Sequence, residues 1–133
     1  MGTFTTKLKV WNPAEPSRTA EVEVWVDTGA AYSWISRARL QPLGVQTVRT
    51  LRFRTIEGRT LERDLAAVFV STDGYIGGDN VVLGEPGELE VIGAHTLESL
   101  GLTVDPVQKK LVPIVIALAL AVTGEKNGKK SYR

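Results

Sequence analysis

The chain has 133 residues, 43% of them hydrophobic, which suits one globular domain with its own core. Sixteen Lys and Arg are balanced by 15 Asp and Glu, and the resulting net charge of +1 does not indicate a nucleic-acid partner. Cysteine is absent and His95 is the single histidine, which excludes disulfides, thiolate catalysis and Cys- or His-based metal sites. We therefore expect no metal and no cofactor. The first residues, MGTFTTKLKV, lack the apolar core of a signal peptide, which favours a cytoplasmic protein.

Alternating hydrophobicity predicts two strands in the first part of the chain, at 4–10 and 20–26, joined by a proline-rich loop at 12–18. The second strand, EVEVWV, ends on Asp27 and is followed by Thr-Gly-Ala. A carboxylate at the end of a half-buried strand is partly desolvated, which is unfavourable for a charged group. Asp27 therefore either begins an ordinary turn, as an Asp that hydrogen-bonds its own backbone does, or it performs chemistry.

The middle of the chain predicts a hairpin. A short strand, AYSWI, and a helical turn capped by Ser36 lead to residues 45–71, which form two strands folded about a turn at Glu57-Gly58. Five arginines between 49 and 63 alternate with acidic residues, a mixture more typical of a solvated hairpin than of a phosphate-binding stripe. Residues 71–80, STDGYIGGDN, are predicted to form a glycine-rich loop without the features of a phosphate loop.

The last third of the chain predicts strands around VVL and at 88–93, then a short helix that starts at His95 or Thr96 and ends at Gly101. The apolar run VPIVIALALAV at 112–122 has 11 residues, fewer than the roughly 20 that a membrane-spanning helix needs, and favours a buried strand over a membrane-associated helix. We therefore expect no membrane contact. The polar, basic tail at 123–133 is predicted to be flexible, and the whole pattern indicates an all-β domain at 1–122 with one or two short helices.

Four features in this order resemble the retropepsin-like aspartic proteases, the single-domain relatives of pepsin. They are Trp-Val-Asp-Thr-Gly-Ala at 25–30, a hairpin with Gly near its tip at 55–60, the triplet VIG at 91–93, and TLESLGLTVDPVQKKLVP after it. The resemblance spans about residues 4 to 116. It implies a small closed β-barrel with a flap hairpin, which pairs as a C2 homodimer through terminal strands such as 112–122.

The resemblance also implies an activity and its residues. In this family each subunit supplies one Asp-Thr-Gly loop, and the two aspartates activate a water molecule that hydrolyses a peptide bond in an extended polypeptide. Asp27, Thr28 and Gly29 would then be catalytic. The predicted substrate-binding residues comprise two after the motif, three in the flap and two in a pocket wall: Ala30, Ala31, Ile56, Glu57, Gly58, Leu89 and Val91.

Three positions differ from the family pattern. Retroviral members carry an Asp and an Arg that form an ion pair, and Ala31 and Ala94 occupy those positions here. Ala30 replaces the Ser of many pepsin-like sites, which removes a possible hydrogen-bond donor to the carboxylate. An alternative function is a dimeric binding or scaffold module of the same fold without catalysis, although such a module has no need to retain a carboxylate at Asp27.

Overall fold

The computed structural model describes residues 4–115, which form nine strands, two short α-helices and one 3-10 turn. In chain order the elements are β1 (Thr5–Asn12), β2 (Glu15–Val26), β3 (Trp34–Ser36), α1 (Arg37–Leu40), the 3-10 turn (Gln41–Leu43), β4 (Thr47–Arg54), β5 (Thr60–Thr72), β6 (Tyr75–Gly84), β7 (Val91–Ile92), α2 (Ala94–Leu100), β8 (Leu102–Asp105) and β9 (Lys110–Pro113). An all-β domain with one or two short helices was predicted, and the structure confirms a mostly β fold with two short α-helices.

Seven strands form one mixed sheet in the order β1-β2-β7-β3-β6-β5-β4. Strand β1 also pairs with β5, through Val10 opposite Val70, so the sheet curls into a ring. The strands β8 and β9 form a separate hairpin. The ring brings β7, which lies late in the chain, between β2 and β3, and this arrangement positions the turn that follows β2.

The core fills the inside of this ring with the residues that alternate inward along each strand. Leu8 and Val10 of β1 and Val22, Val24 and Val26 of β2 are each at most 4% exposed, as the alternation predicted. Side chains from α1 and α2 close the core, among them Leu40, Leu97 and Leu100.

The predicted loops at 12–18 and 71–80 are wrong, because strands occupy most of both segments. Strand β2 already begins at Glu15, and β5 and β6 are joined by a two-residue turn at Asp73 and Gly74, both with positive φ. The glycines of β6 have a packing role instead. A Cβ on Gly77 would lie 2.9 Å from the carbonyl oxygen of Ser99 in α2, so this glycine allows the helix to approach the strand.

The other local predictions hold to different extents. Ser36 caps α1 by accepting the Ala38 N–H at 3.2 Å, and Gly101 ends α2 in the left-handed conformation, as predicted. Helix α2 is preceded by Gly93 rather than capped by a side chain, and the strand expected at 88–93 is reduced to β7. Most of the apolar run 112–122 lies outside the described residues. Within 4–115, the helices are all too short to cross a membrane.

Candidate active site

Asp27 lies where β2 leaves the sheet. Strands β2 and β7 run parallel for only two residue pairs, and the Asp27 N–H then donates to the Ile92 carbonyl at 3.0 Å. The turn closes at once, because Asp27 accepts the Gly29 N–H on its carboxylate at 3.0 Å and the Ala30 N–H on its carbonyl at 3.1 Å. The hydrogen bond from the Gly29 N–H to the Asp27 carboxylate is the Asx-turn expected of a structural Asp. It leaves the Asp27 side chain partly exposed and Thr28 and Gly29 exposed.

The loop after Asp27 rests directly on the start of α2. The Ala30 carbonyl accepts the Ala94 N–H at 2.8 Å, and the Ala31 carbonyl accepts the His95 N–H at 2.9 Å. Ala31 and Ala94, which occupy the positions of the retroviral ion pair, each take part in one of these two backbone hydrogen bonds between the loop and the helix. A Cβ on Gly93 would lie 2.6 Å from the Ala30 carbonyl oxygen, so only glycine fits at the junction.

A shallow pocket of about 340 Å³ opens beside Asp27. Its walls contain three of the predicted binding residues, Ala30, Leu89 and Val91, together with two that the sequence did not indicate, Trp34 and Glu88. Leu89 is 60% exposed and Val91 is 7% exposed, so one forms the rim and the other the floor. The structure therefore brings Asp27 and an apolar surface together.

The predicted flap is the hairpin between β4 and β5. Its tip, Ile56 to Gly58, is exposed and is not part of the pocket wall. The part of β4 next to the tip does reach the site, because the Phe53 ring packs against Trp34 at a centroid distance of 5.2 Å and edge-on against Tyr32 at 6.3 Å. Through these aromatic rings, the hairpin and the Asp27 loop share one packed cluster.

An ion pair supports the pocket wall that Glu88 contributes. Arg63 of β5 contacts both carboxylate oxygens of Glu88, one of which also accepts the Glu85 N–H at 2.8 Å. The hydrogen bonds from Arg63 lower the pKa of Glu88, against the opposing effect of burial. Glu88 therefore remains charged but is engaged with Arg63.

Sequence reasoning missed three polar residues behind the Asp27 loop: Ser33, Asp79 and Thr96. Ser33 and Thr96 are fully buried, and their hydroxyls connect with the Asp79 carboxylate. The signal was available, since Asp79 shares a strand face with buried Leu83 two pleats along, but a predicted loop at 71–80 hid that register. Within residues 4–115, acidic and histidine side chains form no group of three or more that could hold a metal.

Comparison with solved structures identifies a protein of similar fold. No family model and no curated protein matches the chain. Among solved structures, the chain is similar to the protease of simian foamy virus (mac), with a TM-score of 0.51 and 14% identity over 71% of this chain and 91% of that chain. This chain has the retropepsin-like fold. At this identity the likeness concerns the fold, and the role of each site residue has to be argued from the site itself.

The junction at Gly93 gives a first prediction for this retropepsin-like chain. Gly93 has a φ of −101°, which any residue adopts, so Gly93→Ala tests space alone. We expect the variant to lose about 3 kcal/mol or more of unfolding free energy, because the added methyl group overlaps backbone atoms that cannot turn away. Thermal unfolding measures the loss. The control is Gly84→Ala, whose Cβ would meet its nearest atom at 3.6 Å, and an equal loss in both variants would contradict the argument.

The Arg63–Glu88 pair gives a pH-dependent prediction. Because the folded-state pKa of Glu88 is lowered, its contribution is fully present above the ordinary pKa of Glu, about 4.3, and is lost as the pH falls through the folded value. We expect Glu88→Gln to destabilise the fold by about 0.5–1 kcal/mol at pH 7 and by progressively less below about pH 4. Urea unfolding at several pH values measures the difference.

The control for this experiment is Glu62→Gln, which removes the exposed pair with Arg52. We expect almost no difference from wild type at any pH for that variant, since exposed pairs contribute little. A destabilisation by Glu88→Gln that does not change between pH 7 and pH 3 would show that the ion pair is not its cause.

Proposed function

We propose that this chain is an aspartic endopeptidase that acts as a C2 homodimer and hydrolyses peptide bonds in extended polypeptide segments. The observation that carries the proposal is the position of the Asp27 carboxylate, which lies partly exposed beside an apolar pocket within a retropepsin-like fold. A carboxylate in that position is close to where a bound peptide would lie, and it is held by a turn rather than by a flexible loop.

The need for a second copy follows from the chemistry. The sequence contains one Asp-Thr-Gly motif, so each chain supplies one such carboxylate. Two carboxylates a few ångströms apart cannot both ionise at low cost, and they hold one proton between them. An isologous interface about a twofold axis places the same residue of two copies face to face, which makes Asp27 and its counterpart the pair. The exposure of Thr28 supports such a contact, since Thr28 would hydrogen-bond to the loop of the second copy.

The proposed reaction uses the two carboxylates in different protonation states. The ionised Asp27 takes a proton from a bound water, whose oxygen attacks the carbonyl carbon of the scissile bond. The protonated Asp27 of the second copy donates a hydrogen bond to the carbonyl oxygen and stabilises the charge that develops there. The tetrahedral intermediate then breaks its C–N bond, and the leaving amine takes up a proton from the pair.

The substrate side of the site is apolar and open. Ala30, Leu89 and Val91 favour apolar side chains next to the cleaved bond, and Gly29 lets the substrate backbone approach closely. An extended peptide would add as a strand between this floor and the hairpin tip at Ile56–Gly58. Closure of the tip over the peptide would exclude water from the reaction.

One observation favours the alternative of a noncatalytic dimeric binding module. The hydrogen bond from the Gly29 N–H to the Asp27 carboxylate provides a structural reason for an Asp at this turn. Asparagine at position 27 distinguishes the two functions. Its side chain also accepts the Gly29 N–H, so the turn is kept, but it cannot serve as a base, so catalysis would be lost.

The decisive variant is therefore Asp27→Asn. We expect cleavage of an unstructured protein such as casein, assayed between pH 3 and 8, to fall by about 10²- to 10⁴-fold or more, because the general base is lost. Sedimentation of the same samples should find both proteins dimeric. The matched control is Asp73→Asn at the β5–β6 turn, a residue that the proposed mechanism does not use, and this variant should cleave like wild type. A dimeric wild type that cleaves nothing at any pH would favour the binding module instead.

The identity of residue 30 predicts the acidity of the optimum. Ala30 cannot donate a hydrogen bond to the carboxylate pair, and such a bond favours the charged form. We expect the pH–rate profile to peak above about pH 3.5, and Ala30→Ser to move the peak to lower pH. A wild-type maximum below that value, or a shift in the opposite direction, would contradict this account of Ala30.

A further inference from the structure

A carboxylate outside the proposed catalytic pair is buried behind the Asp27 loop. The Asp79 side chain is 2% exposed, yet three groups donate to it. Thr96 Oγ1 lies 2.7 Å from one carboxylate oxygen, and His95 Nδ1 at 2.6 Å and the Asn80 N–H at 2.7 Å contact the other. Burial of a carboxylate is costly without such partners, so this arrangement requires a structural or functional reason.

The donor directions of the hydroxyls can be assigned from this carboxylate. A carboxylate only accepts, so the single hydroxyl proton of Thr96 is committed to Asp79. Ser33 Oγ lies 2.5 Å from Thr96 Oγ1 and must therefore donate to it. Ser33 Oγ in turn accepts the Gly93 N–H at 2.9 Å. A directed series of hydrogen bonds thus runs from Gly93 through Ser33 and Thr96 to Asp79, and we call it the buried relay.

The buried relay begins at Gly93, within the segment that holds the Asp27 loop. Residues 92–95 make three backbone hydrogen bonds with that loop, which connect Ile92 to Asp27, Ala94 to Ala30 and His95 to Ala31 at 3.0, 2.8 and 2.9 Å. Ser33 itself lies at the far end of the same loop. The buried relay therefore ties strand β6 and helix α2 to the Ser33 end of the loop, and the backbone hydrogen bond between Asp27 and Ile92 holds its other end.

We propose that Ser33, Thr96 and Asp79 are positioning residues for the Asp27 carboxylate, acting through the hydrogen-bonded junction between residues 27–33 and 92–96. The inference rests on the proposed function, because it assigns these residues to the same reaction. The residues do not touch substrate. They fix the direction in which the loop presents its carboxylate, and a small misplacement of a reacting group can lower a rate about a hundredfold.

The test compares Thr96→Val with Thr96→Ser. Valine has nearly the shape of threonine but cannot donate to Asp79 or accept from Ser33, whereas serine keeps the hydroxyl. We expect Thr96→Val to lower kcat by about ten- to hundredfold with KM changed by less than about threefold, since the pocket walls are intact. Thr96→Ser should keep kcat within about threefold of wild type. Ser33→Ala is a second, milder variant if the valine variant does not fold.

A matched control separates positioning from general stability. Thr72 is also buried, and its hydroxyl donates to the Lys7 carbonyl of β1 at 2.8 Å and lies 2.8 Å from the Thr6 hydroxyl oxygen. Thr72→Val therefore removes a buried hydroxyl of the same kind, and we expect it to lower the melting temperature without lowering the kcat of the folded dimer. A loss of kcat in Thr72→Val equal to that in Thr96→Val would overturn the proposal.

Amide hydrogen exchange supplies a readout that needs no activity. The Ala94 and His95 N–H groups should exchange at least about tenfold faster in Thr96→Val than in wild type, and unchanged in Thr96→Ser and Thr72→Val, because the junction opens only when the buried relay is broken. Faster exchange at these two amides together with a normal kcat would overturn the positioning role. Unchanged exchange would overturn the buried relay as a support of the junction. A wild type without any cleavage would instead overturn the proposed function, and the exchange result would still decide whether the buried relay holds the loop.

Discussion

The contact between the Asp27 loop and Gly93 is the constraint on which the site depends. Two carbonyl oxygens of the loop, those of Ala30 and Tyr32, lie only 2.6 Å from the position that a Cβ on Gly93 would take. This approach lets the backbone N–H groups that follow Gly93 bind the loop directly. It also allows β7, only two residues long, to sit between β2 and β3 and complete the ring. The site is therefore built from backbone packed against backbone, where a single methyl group is too large.

The contact between the Asp27 loop and helix α2 contains no charged side chain at Ala31 or Ala94. Where retroviral members place an acid and a base, this chain has Ala31 and Ala94, so no ion pair has to be desolvated between loop and helix. The carboxylate of Asp79 is buried one layer further back, and its oxygens are satisfied by hydroxyl, imidazole and backbone donors. Because both members of the ion pair are absent, no charge is left without a partner. Hydrogen bonds between the Asp27 loop and the start of α2 then fix how the two segments are oriented.

Sequence reasoning succeeded where a pattern reflects local geometry. The alternation at 22–26, the turn at Glu57-Gly58 and the helix end at Gly101 depend on neighbouring residues and were predictable. The loop predicted at 71–80 was wrong because Gly77 is explained by a helix more than 15 residues later, which no local pattern reveals. Asp79 was missed because this predicted loop hid the strand register that places it on the same face as Leu83. Ala30, Leu89 and Val91 do share a pocket with Asp27, but only the family resemblance, and no pattern in the residues, indicated that they would.

In the proposed dimer, the Asp27 loops of both copies have to be positioned accurately. A carboxylate pair functions only when both members lie within a few ångströms of each other, so an error in either loop displaces the shared proton and the water. If the interface alone oriented the loops, each would gain its shape only after association. Here the loop is already fixed within one chain, through Ile92, Gly93 and the hydroxyls behind them. Association then has to align two rigid bodies about one axis, which requires less ordering than folding two flexible loops against each other.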